Sequence, residues 1–322
     1  MQTAIEASRP YHEWIDLVKG IGIILVIAGH GLFPYHYAID VFHMPLFFFL
    51  AGVTFRQPHD LTNFILKKIN RIGIPYLFFS LATGCIAQVW ILCERGGEFL
   101  NGPLWFLQTL FTALVLYALL VRNLSREIVH GIVFMLSVIC FLFARHPEYD
   151  VFPFHLIRAC AALVFIHIGR SCDFEAKHAK AAIGIGLLCY VVGLYLLFVK
   201  YHPAGLFVTS QAYSYNYPLY YLTALGGIIA TVAFGKTIGK IPPVNWLGRN
   251  SLIIVCVHFP LIERLNVLIA KTELYHSTIG KCLLAIVEYG IVLLFSAGCI
   301  VLCKKFIPKL TGYAEPLQTV RS

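Results

Sequence analysis

Ten apolar runs of about 17 to 24 residues, each long enough to cross a hydrocarbon core of about 30 Å, occupy most of the chain. They lie near residues 15–33, 40–56, 73–92, 103–121, 128–144, 153–169, 180–199, 218–235, 246–269 and 282–302. A chain patterned this way reads as all-α, a polytopic membrane helix bundle of about ten transmembrane helices forming a single domain over 1–322. The composition, 59% hydrophobic and 13% charged with a mean hydropathy of +0.77, lies outside the range of soluble domains. The formal charge of +9 would suit nucleic acid. The basic residues, however, sit in short connections between apolar runs, which fits membrane topology and excludes nucleic acid as a partner. The ten cysteines form no C-x-x-C pair and read as small buried hydrophobes, with no metal site implied. Residues 1–13 lack the features of a signal peptide, so the first run is expected to be kept as a span.

Loop charge sets the expected orientation. One side of the alternation carries Arg9, Arg56, Lys67, Lys68, Arg71, Arg122, Arg126, Arg170, Lys177, Lys180, Lys236, Lys240, Lys304, Lys305, Lys309 and Arg321. The other carries Arg95, Arg145, Lys200, Lys271 and Lys281. Lys and Arg accumulate on the cytoplasmic side, so both termini are expected there. The expected location is the cell (inner) membrane.

The polar exceptions inside the runs point to chemistry. In the first run, Lys19 and His30 are eleven residues apart, hence within about 20° of one helix face and separated by roughly 16 Å along it. Asp16 falls on the same side. Ionisable groups in a span are costly and face a protein interior or a wet cavity. With the amino terminus inside, His30 lies near the outer end, where Asp40, His43, Trp105, Gln108, Arg158, Glu263, Arg264 and Glu288 are expected at similar depth, either pairing across the bundle interior or lining a hydrated pocket that a sugar-sized substrate could use. On the cytoplasmic side Lys67, Lys68, Arg71 and Arg249 suit an anion, with Arg supplying the planar fork that phosphate prefers. The alternative for these cations is positive-inside anchoring. His258 reads as a packing hydrogen bond. Tyr213, Tyr215, Tyr217, Tyr220 and Tyr221 read as an interfacial aromatic belt. His30, His36, Asp40 and His43 match no metal-site spacing.

The K-x10-H of Lys19 and His30, the HMPLFFFLAG from His43, the K-x-x-R of Lys68 and Arg71 before Pro75, PLWFL around Trp105, and LGRNSLIIVCVHFP from Leu247 to Pro260 together resemble the acyltransferase-3 family of membrane O-acyltransferases. The pattern is most similar to its fucose 4-O-acetylase-like branch and covers essentially the whole chain. Lys19 and Lys68 stand where the family commonly shows Arg, so each keeps its charge and loses the fork.

The resemblance implies transfer of an acyl group, usually acetyl from cytoplasmic acetyl-CoA, to a hydroxyl of an extracytoplasmic or lipid-linked carbohydrate, with possible glycan-assembly partners in the bilayer. Lys19, Lys68, Arg71 and Arg249 would bind the donor. His30 would act as general base or acyl carrier, with His43 as a second catalytic residue at that end, and Asp16, the third, would orient or pair with Lys19 across the i, i+3 spacing or serve only as an ion pair at the cytoplasmic end. Trp105, Gln108, Arg158, Glu263 and Glu288 would bind the acceptor. The competing class is a glycan transporter that makes no covalent bond, against which stand the lack of an internal repeat and of paired broken helices.

Overall fold

The computed structural model describes residues 12–33, 35–83, 101–143, 155–172, 178–200 and 216–312. Among them every regular element is helical: α1 (Glu13–His30), α2 (His36–Asp40), α3 (His43–Val53), α4 (Leu61–Lys68), α5 (Trp105–Asn123), α6 (Arg126–Phe143), α7 (Leu156–Ser171), α8 (Ala179–Tyr195), α9 (Tyr217–Ile238), α10 (Pro242–Arg249), α11 (Ser251–Ile269) and α12 (Thr278–Phe306). After α4 a π-helical turn, Ile69–Gly73, leads into further helix over 74–83. Both chain ends, the 84–92 half of the third run, Tyr213, Tyr215, and the loop cations Arg9, Arg95, Arg145, Lys177 and Arg321 lie outside the described residues.

Among the described residues six helical stretches are long and apolar enough to cross a membrane: His36–Val53, Gly102–Asn123, Ala179–Phe198, Tyr217–Ile238, Ser251–Ile269 and Thr278–Phe306. The other expected runs are helical wherever they are described. α1 carries Glu13, Asp16 and Lys19 in its first half, and α7 has only 16 residues. The run expected over 246–269 is two helices, broken at Asn250, which lies between α10 and α11. The run expected from 40 begins as helix at His43, behind the short α2.

α1 sits at the centre and packs on α2, α3, α9, α10, α11 and α12. Its crossing with α10 depends on two glycines. A Cβ on Gly248 would lie 1.9 Å from the Asp16 carbonyl oxygen, and one on Gly20 would lie 2.0 Å from that of Val244. Small residues let backbones approach this closely, as membrane helices do when no hydrophobic force drives them together. At the periphery, Ile185, Leu188 and Val191 on α8 and Ile279, Ile286 and Leu294 on α12 are exposed. Apolar side chains exposed in such numbers mark a lipid-facing surface. Tyr220 and Tyr221 correct the expectation of an aromatic belt. Both are buried, and Tyr221 stacks on Phe165 at 5.1 Å between ring centres, so these two rings fill core volume between α9 and α7.

Candidate active site

The polar side chains of the bundle gather at the two ends of α1. At its amino-terminal end the close crossing with α10 brings Arg249 to Asp16, with Nη1 to Oδ2 at 3.6 Å. Asp16 is buried and Arg249 partly exposed. The expected pairing of Asp16 with Lys19 is therefore supplemented by a partner from another helix, although Lys19 does feel the Asp16 charge. Lys68 comes within electrostatic range of both Arg71 and Lys19, and Lys304 at the far end of α12 within range of Arg249. Cations from four elements thus converge. Burial first, then the charges of Arg71 and Lys19, pushes the Lys68 ammonium down to about 8. Like charges held this close, with Asp16 in reach of two of them, form a site suited to a polyanion.

The π turn adds a feature that the sequence did not signal. Asn70, between Lys68 and Arg71, is buried, and its Nδ2 has no hydrogen-bond partner. An unmet buried donor carries a desolvation cost of about 1–3 kcal/mol, and π turns recur at functional sites. Gly312, at φ +77°, packs on this turn, where an added Cβ would lie 3.0 Å from the Arg71 carbonyl oxygen.

At the carboxyl-terminal end of α1, His30 faces α11. Its ring centre lies 5.4 Å from that of His258 and 5.2 Å from that of Phe259, the latter edge-on. His43, buried on α3, is held by Nδ1 against the Ile39 carbonyl at 3.0 Å and lies 3.8 Å from Asp40 Oδ1. Asp40 Oδ2 pairs with His36 at 2.9 Å. A Cβ on Gly29 would lie 2.9 Å from Asp40 Oδ1, so this carboxylate rests on α1 one residue before His30. Glu288, fully buried on α12, accepts the Leu32 backbone N–H at 2.9 Å through Oε2, while Oε1 has no partner. It thereby fastens the chain just after α1. Among the described residues no three His, Cys, Asp or Glu side chains converge as metal ligands would.

Two of the expected acceptor residues meet: Arg158 lies over the Trp105 ring at 5.1 Å. Gln108, one helical turn from Trp105, is half-buried on the same side of α5. Glu263 does not join the cluster. It lies five residues beyond His258, which turns it about 140° round α11, and it is exposed there beside exposed Arg264.

Asn101 had no expected role, and His258, expected as a packing hydrogen bond, bonds to two carbonyls of its own helix. Pro260 lies inside α11. Lacking an N–H, it leaves the carbonyl four residues back, that of Cys256, without its helical donor. Asn101 Nδ2 donates to that oxygen at 2.8 Å and also to Thr83 Oγ1 at 3.3 Å. The interrupted helix is thus satisfied from the turn that starts α5, beside Gly102, whose added Cβ would lie 3.8 Å from Phe259. The proline in VCVHFP was the available signal, since a proline in a span calls for a compensating donor.

A family model described as an acyltransferase domain matches residues 12–305. The chain belongs to the acyltransferase-3 family. It is therefore a membrane acyltransferase with apolar helices of a multi-pass protein, and the match does not favour the transporter alternative. No curated protein matches the chain, and no solved structure does. Within this acyltransferase-3 chain the match runs from the residue before α1 to nearly the end of α12, so both ends of α1 lie inside it.

Proposed function

We propose that the protein transfers an acetyl group from cytoplasmic acetyl-CoA to a hydroxyl of an extracytoplasmic or lipid-linked carbohydrate, as the fucose 4-O-acetylase-like branch does. The supporting observation is the division of polar groups along α1, with a cationic cluster at one end and buried imidazoles at the other, about 16 Å from Lys19 at helical rise. In this reading the chain spans the inner membrane about ten times with both termini in the cytoplasm, and it works beside glycan-assembly partners in the bilayer.

The residues present fit the donor. Lys19, Lys68, Arg71 and Arg249 would hold the phosphates of CoA, and the unmet Asn70 amide adds a neutral donor in their midst. The thioester arm would reach along α1 to His30. There the sugar oxygen attacks the thioester carbonyl while His30 takes the hydroxyl proton. The C–S bond breaks, the proton passes to the leaving thiolate, and the products are the acetyl ester and free CoA thiol. Trp105, Arg158 and Gln108 would line the acceptor side, with His43 and Glu288 bounding it.

Purified protein in proteoliposomes with internal acetyl-CoA and an external glycan acceptor should release thiol in step with ester formation. Acceptor translocation without thiol release would overturn the reading.

A further inference from the structure

A histidine that removes a proton with one ring nitrogen needs the other nitrogen's proton held, so that the tautomer is fixed. For His30 the structure offers a partner, His258, which lies inside the stretch LGRNSLIIVCVHFP and to which the resemblance attached no role. His258 Nδ1 lies 2.8 Å from the Ile254 carbonyl oxygen and 3.0 Å from that of Val255. Carbonyls only accept, so Nδ1 carries the hydrogen and Nε2 bears the lone pair. That Nε2 is buried and has no hydrogen-bond partner. Buried polar atoms are normally hydrogen-bonded, so an unmet buried nitrogen calls for a partner. Here the helix satisfies one nitrogen, and the ring stands 5.4 Å, centre to centre, from His30. At that separation a nitrogen of each ring comes within hydrogen-bond reach when the two point at one another along the line of centres.

We infer that His258 is the positioning residue of His30: its Nε2 accepts the second N–H of His30 and leaves the opposite nitrogen bare for the acceptor hydroxyl. This rests on the acyl-transfer reading of the site. The surroundings hold the pair in register. Pro260 interrupts α11 two residues on, Asn101 satisfies the Cys256 carbonyl released there, and Phe259 closes the side of the His30 ring edge-on. Glu288 Oε1 near the end of α1 is also unpartnered, and substitution weighs it against His258, while two neighbouring carboxylate oxygens are engaged elsewhere. Asp40 Oδ2 is taken by His36, and Glu288 Oε2 by the Leu32 N–H. Over one turnover the pair neither gains nor loses a proton: His30 takes the hydroxyl proton on its bare nitrogen and gives it to the thiolate, while the N–H toward His258 stays in place.

The test compares three substitutions in the full-length protein in proteoliposomes, with acetyl-CoA and a glycan acceptor. His258→Leu removes the acceptor, His258→Asn places its amide near Nδ1 only, and His258→Gln carries a carbonyl oxygen to the position of Nε2. We expect kcat to fall about 10²-fold in His258→Leu and His258→Asn with the KM for acetyl-CoA unchanged, and to recover at least tenfold in His258→Gln. Near-normal kcat in His258→Leu overturns the inference, as does equal loss in all three. If His258→Leu does not fold, the ratio of His258→Gln to His258→Asn decides, and a ratio near one overturns it. If Glu288→Leu, which removes both oxygens, reproduces the loss while His258→Leu does not, the acceptor is Glu288 and the inference fails. Full activity in His30→Ala would be a separate failure, that of the acyl-transfer reading.

Discussion

The two ends of α1 are built on opposite principles. At the amino-terminal end the backbones of α1 and α10 touch through Gly20 and Gly248, and Arg249 pairs with buried Asp16, while Lys68, Arg71 and Lys19 repel one another beside them. At the carboxyl-terminal end the side chains are neutral or buried, and each is tied to a particular backbone group: His43 to Ile39, His258 to Ile254 and Val255, Glu288 to Leu32. A wet cluster of cations tolerates a large, mobile polyanion and depends on charge more than on exact placement. A dry cluster of imidazoles depends on placement, because an error of 1 Å in a reacting group is costly. The lesson is that one helix can serve as a ruler between a binding end and a chemical end. Substitutions at the two ends should accordingly separate KM from kcat.

The largest effect should come from His30→Ala, with kcat reduced about 10²- to 10⁴-fold and acetyl-CoA affinity kept. Isothermal titration beside turnover measurements checks both halves, and a matching loss of affinity would erase the distinction between the ends. Next comes Gly248→Ala. Its new Cβ would collide with the Asp16 carbonyl, and neither backbone can yield cheaply, so overpacking should cost about 1–3 kcal/mol in detergent thermal unfolding. Because the crossing also sets Arg249 against Asp16, the surviving protein should show a raised KM for acetyl-CoA while the step at His30 proceeds at its normal rate. Arg71→Ala should leave stability unchanged and raise that KM roughly tenfold, the worth of a charge-assisted hydrogen bond.

Much of this arrangement was legible in the sequence because the membrane simplifies the code. A charge inside an apolar run has few permissible reasons, and the 3.6-residue period alone puts Asp16, Lys19 and His30 on one side of α1. The break at Asn250 was not legible, since LGRNSL carries neither proline nor a glycine pair, and the separation of α10 from α11 follows from tertiary packing on α1. The Glu263 assignment failed because depth was read without azimuth: residues at one level of α11 face either His30 or the outer surface. The unpartnered Nε2 of His258 was not legible either, because it is a property of the folded site that no spacing records. The orphaned amide of Asn70 is of the same kind, a donor whose missing partner becomes visible only once the π turn has buried it.

The smallest and most specific effect concerns Lys68. Burial, then Arg71 and Lys19, depresses its ammonium to about 8. A lysine that titrates lower in the folded protein than in the unfolded chain binds fewer protons when folded, so stability without donor should rise with pH between about 8 and the ordinary lysine value of 10.5. Donor affinity should run the other way. As pH rises from 7 to 9 the charged fraction of Lys68 falls from about nine-tenths to about one-tenth, and with it one attraction to phosphate, so acetyl-CoA binding should weaken by up to about tenfold. Lys68→Arg separates this from general effects of alkali, because a guanidinium stays charged throughout that window and restores the bidentate fork. Its donor affinity should be flat from pH 7 to 9 and at least as tight as that of the unaltered protein at pH 7. Titrations at three pH values on both proteins suffice. Parallel slopes would mean that the pH dependence belongs to another group, and that Lys68 anchors its helix end without contacting the donor. A slope confined to the lysine form would place the charge of Lys68 at the phosphate, where the cationic end of α1 does its binding.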